Sequence, residues 1–358
     1  MTTPLKRFAA PALTLFLATS ALAQYNRTDL VTDTGVGGTL ADPILVNAWG
    51  LTALPTSPFW VSDNATGQST LYTGAGAKIA LTVAIPAANG GQGIPTGIVG
   101  NATSSDFVVS ENGTSSKAQF IFATLDGTIS GWSPVVVPVV SGTSHATIAA
   151  DRSGVGASYT GLAIGSNNGQ NFLFAADDGP NRRIDVFNGA FQLTDLGPEA
   201  FVDPGIPRNF APYGIQVTTA GDGTQTVWVT YTALNKAQGG FVDSFTTAGA
   251  LIHHYAAHGP LHSPWGIAIA PADFGPMSNA LLITNNISRG RVNAFDPRSG
   301  AFLGPLRDAG GQPIEIDGLW GIQFGHDSGP NGAHNQLFFT AGPNNYANGI
   351  FGVITLGQ

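Results

Sequence analysis

The sequence predicts an all-β chain closed into a six-bladed β-propeller, and three observations carry that prediction. The first is a short phrase, an aromatic residue or Thr followed by Gly and then Ile or Leu. It occurs as Trp49-Gly50-Leu51, Thr96-Gly97-Ile98, Thr160-Gly161-Leu162, Tyr213-Gly214-Ile215, Trp265-Gly266-Ile267 and Trp320-Gly321-Ile322. The six glycines succeed one another at intervals of 47, 64, 53, 52 and 55 residues, a near-constant period that marks one small unit repeated around a ring. The second is composition: 48 Gly and 23 Pro in 358 residues, with only 10% charged. That suits short strands and tight turns and disfavours helices. The third is that each repeat presents the same order of strand and turn signals.

Taken in order, the chain opens on a secretory signal. Lys6-Arg7 supplies the positive region, Phe8 to Leu17 the apolar core and Ala21-Leu22-Ala23 the small-x-small cleavage pattern, leaving Gln24 as the mature start. The apolar run is too short to span a bilayer, and no other segment is long enough. The expected organisation is therefore a signal peptide over 1–23 and one propeller domain over 24–358. The piece from Tyr25 to Val31 precedes the first repeat and has no blade of its own. The last repeat, after Phe339, holds only Gly349 to Ile354 and lacks a strand. The N-terminal strand is predicted to complete the last blade, which leaves no unpaired ring end.

Within each repeat, a polar or Pro-containing approach leads into the x-Gly-(Ile/Leu) strand. A second strand follows, as in Phe59-Trp60-Val61, Phe172-Leu173-Phe174, Val227-Trp228-Val229, Leu281-Leu282-Ile283 and Leu337-Phe338-Phe339. A polar corner then leads to a third, as in Arg183-Ile184-Asp185-Val186-Phe187, Phe241-Val242-Asp243-Ser244-Phe245 and Arg291-Val292-Asn293-Ala294-Phe295. The alternation predicts half-buried strands with polar residues outward and apolar residues inward. A fourth strand shows at Gly300 to Leu303. About 56 residues per blade, against ~40–45 in a minimal one, leave room for loops. The Gly of each phrase is expected where inner strands converge and a Cβ would meet the neighbouring blade.

Charge and cysteine remove several function classes. The net charge is −8 and the 14 Lys and Arg are scattered, so the basic stripe that nucleic acid requires is missing. Nineteen of the 22 acids are Asp, a turn residue by its local hydrogen bonding. Cysteine is absent, which excludes disulfide staples, thiolate metal sites and Cys nucleophiles. There is no Gly-x-Ser-x-Gly elbow, no His-Glu-x-x-His and no phosphate loop. Aromatic residues such as Trp132, Trp228 and Tyr231 fall at strand positions, where inter-blade core is the expected role.

Candidate site residues fall at the loops that lead into the inner strands and at the corners between second and third strands, which open on one face of a propeller. The loops carry Asn47, His262, Glu315 and Asp317; the corners carry Asp63, Asp177 and Asn285. Asn47, Asp63, Asp177 and Asn285 offer the hard oxygen ligands that Ca²⁺ requires. Asp317, Glu315 or His262 would then serve as general base. Each Asp or Asn also has a plainer reading as turn chemistry beside Gly or Pro. Four His lie close together at 253, 254, 258 and 262. His253 and His254 are adjacent in an apparent strand and point to opposite faces, so they are not expected to share a metal, whereas His258 and His262 flank Gly259-Pro260 and could; His262 should sit at the mouth of the axis.

The set Val46 to Gly50, Phe59 to Asn64, Phe122 to Trp132, Pro264 to Ala268 and Asp317 to Gly321 resembles a family of secreted bacterial propellers that often carry a PEP-CTERM sorting tail. Here no Pro-Glu-Pro motif precedes Gln358, so sorting by that tail is not expected. More distantly the blades are similar to NHL repeats and to gluconolactonase/regucalcin-like propellers, a resemblance that implies calcium-dependent lactonases or lyases among possible activities. The resulting expectation is a secreted or periplasmic monomer, a ligand-binding or scaffold protein that takes a small molecule, glycan or peptide at a polar axial site. The alternative is a calcium-dependent hydrolase, lactonase-like, or a lyase acting there.

Overall fold

The structure, a computed structural model, describes residues 24–234, 239–255 and 259–357. The proposed leader at 1–23 and His258 lie outside the described residues. The fold is the expected six-bladed propeller. The innermost strands are Ala48–Thr52, Pro95–Gly100, Tyr159–Asn167, Phe210–Thr219, Pro264–Ile269 and Leu319–Phe324, one for each of blades one to six. Each packs against the next, and the sixth against the first. Antiparallel strands add outward from each, and the sheets of blades six and one each gain a short parallel strand at the rim, Leu40–Ala41 and Thr143–His145. Among the described residues there is no α-helix, only three short 3₁₀ turns, and no helix is long and apolar enough to cross a membrane.

The closing strand lies where the sequence placed it. Tyr25–Thr32 pairs antiparallel with Ile350–Leu356, Tyr25 opposite Leu356 and Thr32 opposite Ile350. Tyr25 is buried, and its hydroxyl donates to the Phe274 carbonyl of blade five at 2.7 Å.

The x-Gly phrase has two structural reasons. In every blade the register slips there, a β-bulge in the inner strand. A glycine inside a strand marks such a bulge or a close backbone approach. Here it marks both. A Cβ on Gly50 would sit 2.2 Å from the Thr96 carbonyl, on Gly97 2.3 Å from Leu162 N, on Gly214 2.0 Å from the Trp265 carbonyl and on Gly266 2.5 Å from that of Trp320. Each clash is with the next blade, and Gly321 returns the contact to Trp49. Buried threonines stitch the same seams. Gly266 N–H donates to Thr284 Oγ1, which donates to the Trp320 carbonyl; Gly321 N–H donates to Thr340 Oγ1, which donates to that of Trp49. Thr96 and Thr160 donate likewise to the carbonyls of Tyr159 and Tyr213.

The third strands differ from expectation. Their central polar residues, Thr70, Ser130, Asp185, Asp243 and Asn293, are all buried rather than outward-facing. A blade is covered by neighbours on both faces, so alternation there separates two buried faces. Trp132, Trp228 and Tyr231 are core, as expected. Blade three has three strands only, Arg183–Asn188 being its outermost. In place of a fourth strand, the connection through 189–209 leaves a brief bridge at Leu193. It then wedges Phe201 between Phe174 and Phe245, ring centroids 5.4 Å from each.

Candidate functional site

The axis is closed by aromatic rings. Trp49 and Trp320 stack at 3.6 Å between centroids with 16° between planes. Trp265 meets both edge-on, at 6.3 and 5.9 Å, and Tyr213 and Tyr346 lie 6.0 and 5.6 Å from Trp320. The aromatic residues of four phrases thus converge with Tyr346. The third residue of every phrase, Leu51, Ile98, Leu162, Ile215, Ile267 and Ile322, lines a cavity of about 30 Å³, room for one or two waters. The expected polar opening is therefore an aromatic plug above an aliphatic bore. Its polar groups form a collar. Asn47 donates to Asn64 Oδ1 at 3.0 Å and accepts from Trp320 Nε1 at 2.9 Å; Tyr346 donates to Asn286 Oδ1 at 2.7 Å. Asn47 holds φ +50°, a region Asn tolerates better than most side chains.

The remaining candidates are dispersed. Asp177 accepts from the Ser158 and Gly179 amides and from Asn181 Nδ2, which staples its loop. Asp63 is fully buried beside Thr70 and the Asp42–Tyr72–Lys78 group, where Tyr72 donates to Asp42 at 2.5 Å and Lys78 pairs with Asp42 at 2.7 Å. Burial, with Asp42 adding to it, pushes the Asp63 carboxyl well above its usual range. A carboxyl so raised contributes stability that is complete below its unfolded pKa of about 3.9 and fades as pH rises. Asp63→Asn is thus expected to raise the melting temperature relative to the parent, by more at about pH 7.5 than at about pH 4.5. Melts across that range check it, and a gap that is flat or shrinks with pH contradicts it. Asp317 accepts the Asn344 amide at 2.8 Å. Glu315 is gripped by Arg289 at 2.6 Å and Arg291 at 2.5 Å, which hold its carboxyl below the ordinary value.

Two candidates do come together. Asn285 Oδ1 accepts from the His262 amide at 3.1 Å, and its Nδ2 donates to the Pro260 carbonyl at 2.7 Å. Both line a cleft beside blade five of about 920 Å³. Arg289, Arg291, Arg307 and Asn293 line it as well, and Phe302, 46% exposed, forms part of its apolar wall with Pro305 and Pro313. With Glu315 offsetting one charge, the arginines leave an excess of positive charge in a chain of net −8. Sequence reasoning overlooked these arginines. Arg289-Gly290-Arg291 was visible at the corner after the second strand, but Arg307 and Glu315 reach the same place from the next connection. Glu315 is recruited there as a partner of arginines rather than as a free base.

No family model matches the chain. It is 28% identical over 377 residues to the uncharacterized protein L690 of Acanthamoeba polyphaga mimivirus, covering 99% of this chain and 95% of that one. It is 28% identical over 328 residues to the uncharacterized protein R648 of the same virus, covering 88% and 76%. Among solved structures, a putative oxidoreductase (glucose dehydrogenase) of Thermus thermophilus superposes with a TM-score of 0.52 at 12% identity, over 93% of this chain and 100% of that one. The periplasmic gluconolactonase PpgL of Pseudomonas aeruginosa gives 0.46 at 16% identity, over 87% and 84%. At these identities the likeness is one of fold.

Proposed function

We propose that the protein is an exported binding propeller that holds a small anionic ligand, an acidic sugar or another carboxylated metabolite, in the cleft beside blade five. The observation that carries this reading is the set of three guanidinium groups, Arg289, Arg291 and Arg307, in one cavity of about 920 Å³. A volume of that order suits a drug-sized ligand. Guanidinium forks match carboxylate geometry and retain their charge at any working pH. Phe302 offers an apolar face on which a sugar ring would lie, and His262, Asn285 and Asn293 supply polar groups around it. Export rests on the N-terminal signal. The likeness to secreted bacterial propellers belongs to the same reading and rests on its motifs.

Binding is favoured over calcium-dependent hydrolysis because the acids that hydrolysis would use are engaged. Glu315 is neutralised by two arginines, Asp317 caps a loop, and the oxygens of Asn47, Asp177 and Asn285 already accept hydrogen bonds in three separate settings. The test is calorimetric titration of the mature chain with uronic-acid oligosaccharides and with their neutral counterparts. Acidic sugars should bind, more weakly as salt rises, and neutral ones should not. Replacing Arg289 and Arg291 together with Ala is expected to weaken binding about 100-fold, since a hydrogen bond to a charged group contributes roughly 1.5–3 kcal/mol. Glu315→Gln should strengthen it by releasing both guanidinium groups. Equal affinity in the parent and the double-arginine variant would remove the cleft as the site.

A further inference from the structure

Blade four holds a polar centre of a different kind. Asp243 stands at the middle of the third strand, Phe241–Thr246, directly opposite His254 on the outer strand Leu251–Tyr255. Asp203 comes from the connection that replaces the fourth strand of blade three. His254 Nδ1 lies 2.9 Å from Asp243 Oδ1 and 2.5 Å from Asp203 Oδ2. The ligand atoms of these three residues all fall within 4.8 Å of one another, the one such group of His, Asp and Glu among the described residues. Tyr231, on the adjacent second strand, is buried and faces Asp243.

The hydrogen-bond accounting does not close. An Nδ1–H can point at one oxygen, and here it aligns with Asp243 Oδ1. Asp203 Oδ2 presses on the same nitrogen as an ion pair without a hydrogen-bond alignment, and the buried Tyr231 hydroxyl interacts with Asp243, whose Oδ2 is also buried, without an aligned hydrogen bond. Asp243 is fully buried. Buried carboxylate oxygens short of aligned hydrogen bonds are costly, and one oxygen of each carboxylate converges with the imidazole nitrogen. Meanwhile Asp203 Oδ1 accepts the Gly205 amide at 2.7 Å, which fixes the carboxylate with its other oxygen inward.

We propose that Asp203, Asp243 and His254 form a binding site for one divalent transition-metal ion of the Zn²⁺ class, with the Tyr231 hydroxyl facing it. Two carboxylates balance the charge of a divalent ion. One imidazole nitrogen with two carboxylate oxygens is a donor set that Zn²⁺ accepts at ~2.0–2.2 Å in a compact shell. Ca²⁺ is disfavoured, because it takes six to eight oxygens in a wider shell. His254 keeps 30% of its side chain exposed, which gives the ion a way in. Bound there, the ion would clip the connection after blade three to the outer strands of blade four.

The test begins with the mature chain stripped by chelator and titrated with Zn²⁺ and, separately, Co²⁺. One ion should bind per chain, the melting temperature should rise with it, and Co²⁺ should show the visible bands of a four- or five-coordinate site. X-ray absorption on the Zn²⁺ form should report one imidazole in an otherwise oxygen shell. Asp243→Asn and His254→Gln should each weaken binding by more than about 100-fold, the upper cost of losing a mere orienting partner, whereas His253→Ala should leave it unchanged. No stoichiometric ion on the parent, a shell with more than one imidazole, or binding undiminished in Asp243→Asn would overturn the site. The parent's stoichiometry and absorption spectrum decide the matter even where a variant does not fold.

Discussion

Gly214→Ala is expected to destabilise the ring by on the order of 3 kcal/mol or more, at the top of the range for forced overpacking. The added methyl would stand 2.0 Å from the Trp265 carbonyl, with Thr230 Oγ1 at 2.8 Å. Neither is the far end of a flexible side chain. The carbonyl belongs to the next inner strand, and Thr230 Oγ1 already accepts the Gly214 amide. Relief requires the two blades to part, which strains the seams on either side. Gly221→Ala is the matched control. No heavy atom lies within 4 Å of a Cβ there, so it should be neutral or slightly stabilising, as substitutions that reduce the freedom of the unfolded chain are. Chemical denaturation of both variants checks the pair; a loss under about 1 kcal/mol for Gly214→Ala would refute the seam argument.

The second large effect concerns closure. Deleting residues 24–32 should leave the chain insoluble, or lower its stability by about 5 kcal/mol or more, since burying each large side chain contributes ~1.5–3 kcal/mol before any ladder is counted. Tyr25 and Val31 leave the core, the hydroxyl tie to Phe274 is lost, and Ile350–Leu356 becomes a bare edge. An exposed apolar edge strand invites pairing with another chain. Connectivity, by contrast, should hardly matter. Gly357 N–H donates to the Gln24 carbonyl at 2.5 Å, so the ends of the described chain meet. A circular permutant that joins 357 to 24 through a short turn and opens at the exposed loop near Gly221 should fold and melt close to the parent. Sedimentation and thermal melting of the two forms separate loss of the strand from loss of its position in the sequence.

Much of the architecture was readable because the axis punishes variation. Inner strands crowd the axis at all six glycines, and at Gly50, Gly97, Gly214 and Gly266 a Cβ would clash with the backbone of the next blade, so the repeat period and the blade count stand out from residue identities. Burial in the third strands was hidden by a rule that holds for sheets with one wet face: Asp185 and Asp243 look outward-facing in the sequence and are enclosed in the fold. The aromatic plug was in view as Trp49, Tyr213, Trp265 and Trp320, but nothing local to each phrase says that four rings share one point. The cleft draws on two separate connections, with Arg289 in one and Arg307 in the other, and the blade-four centre joins Asp203 to His254 across a blade boundary. Asp203 lies in a connection that has no counterpart in the other repeats, so periodicity offered no handle on it.

The stacked indoles of Trp49 and Trp320, 3.6 Å apart, also make the molecule its own optical gauge. Electronic transitions of two rings so close mix into a split circular-dichroism band that neither indole produces alone. The two rings sit in the first and last blades, so the signal survives only while those blades stay together. Its decay under denaturant would time the parting of the ring, and a lag between it and loss of the far-ultraviolet strand signal would separate opening from unravelling.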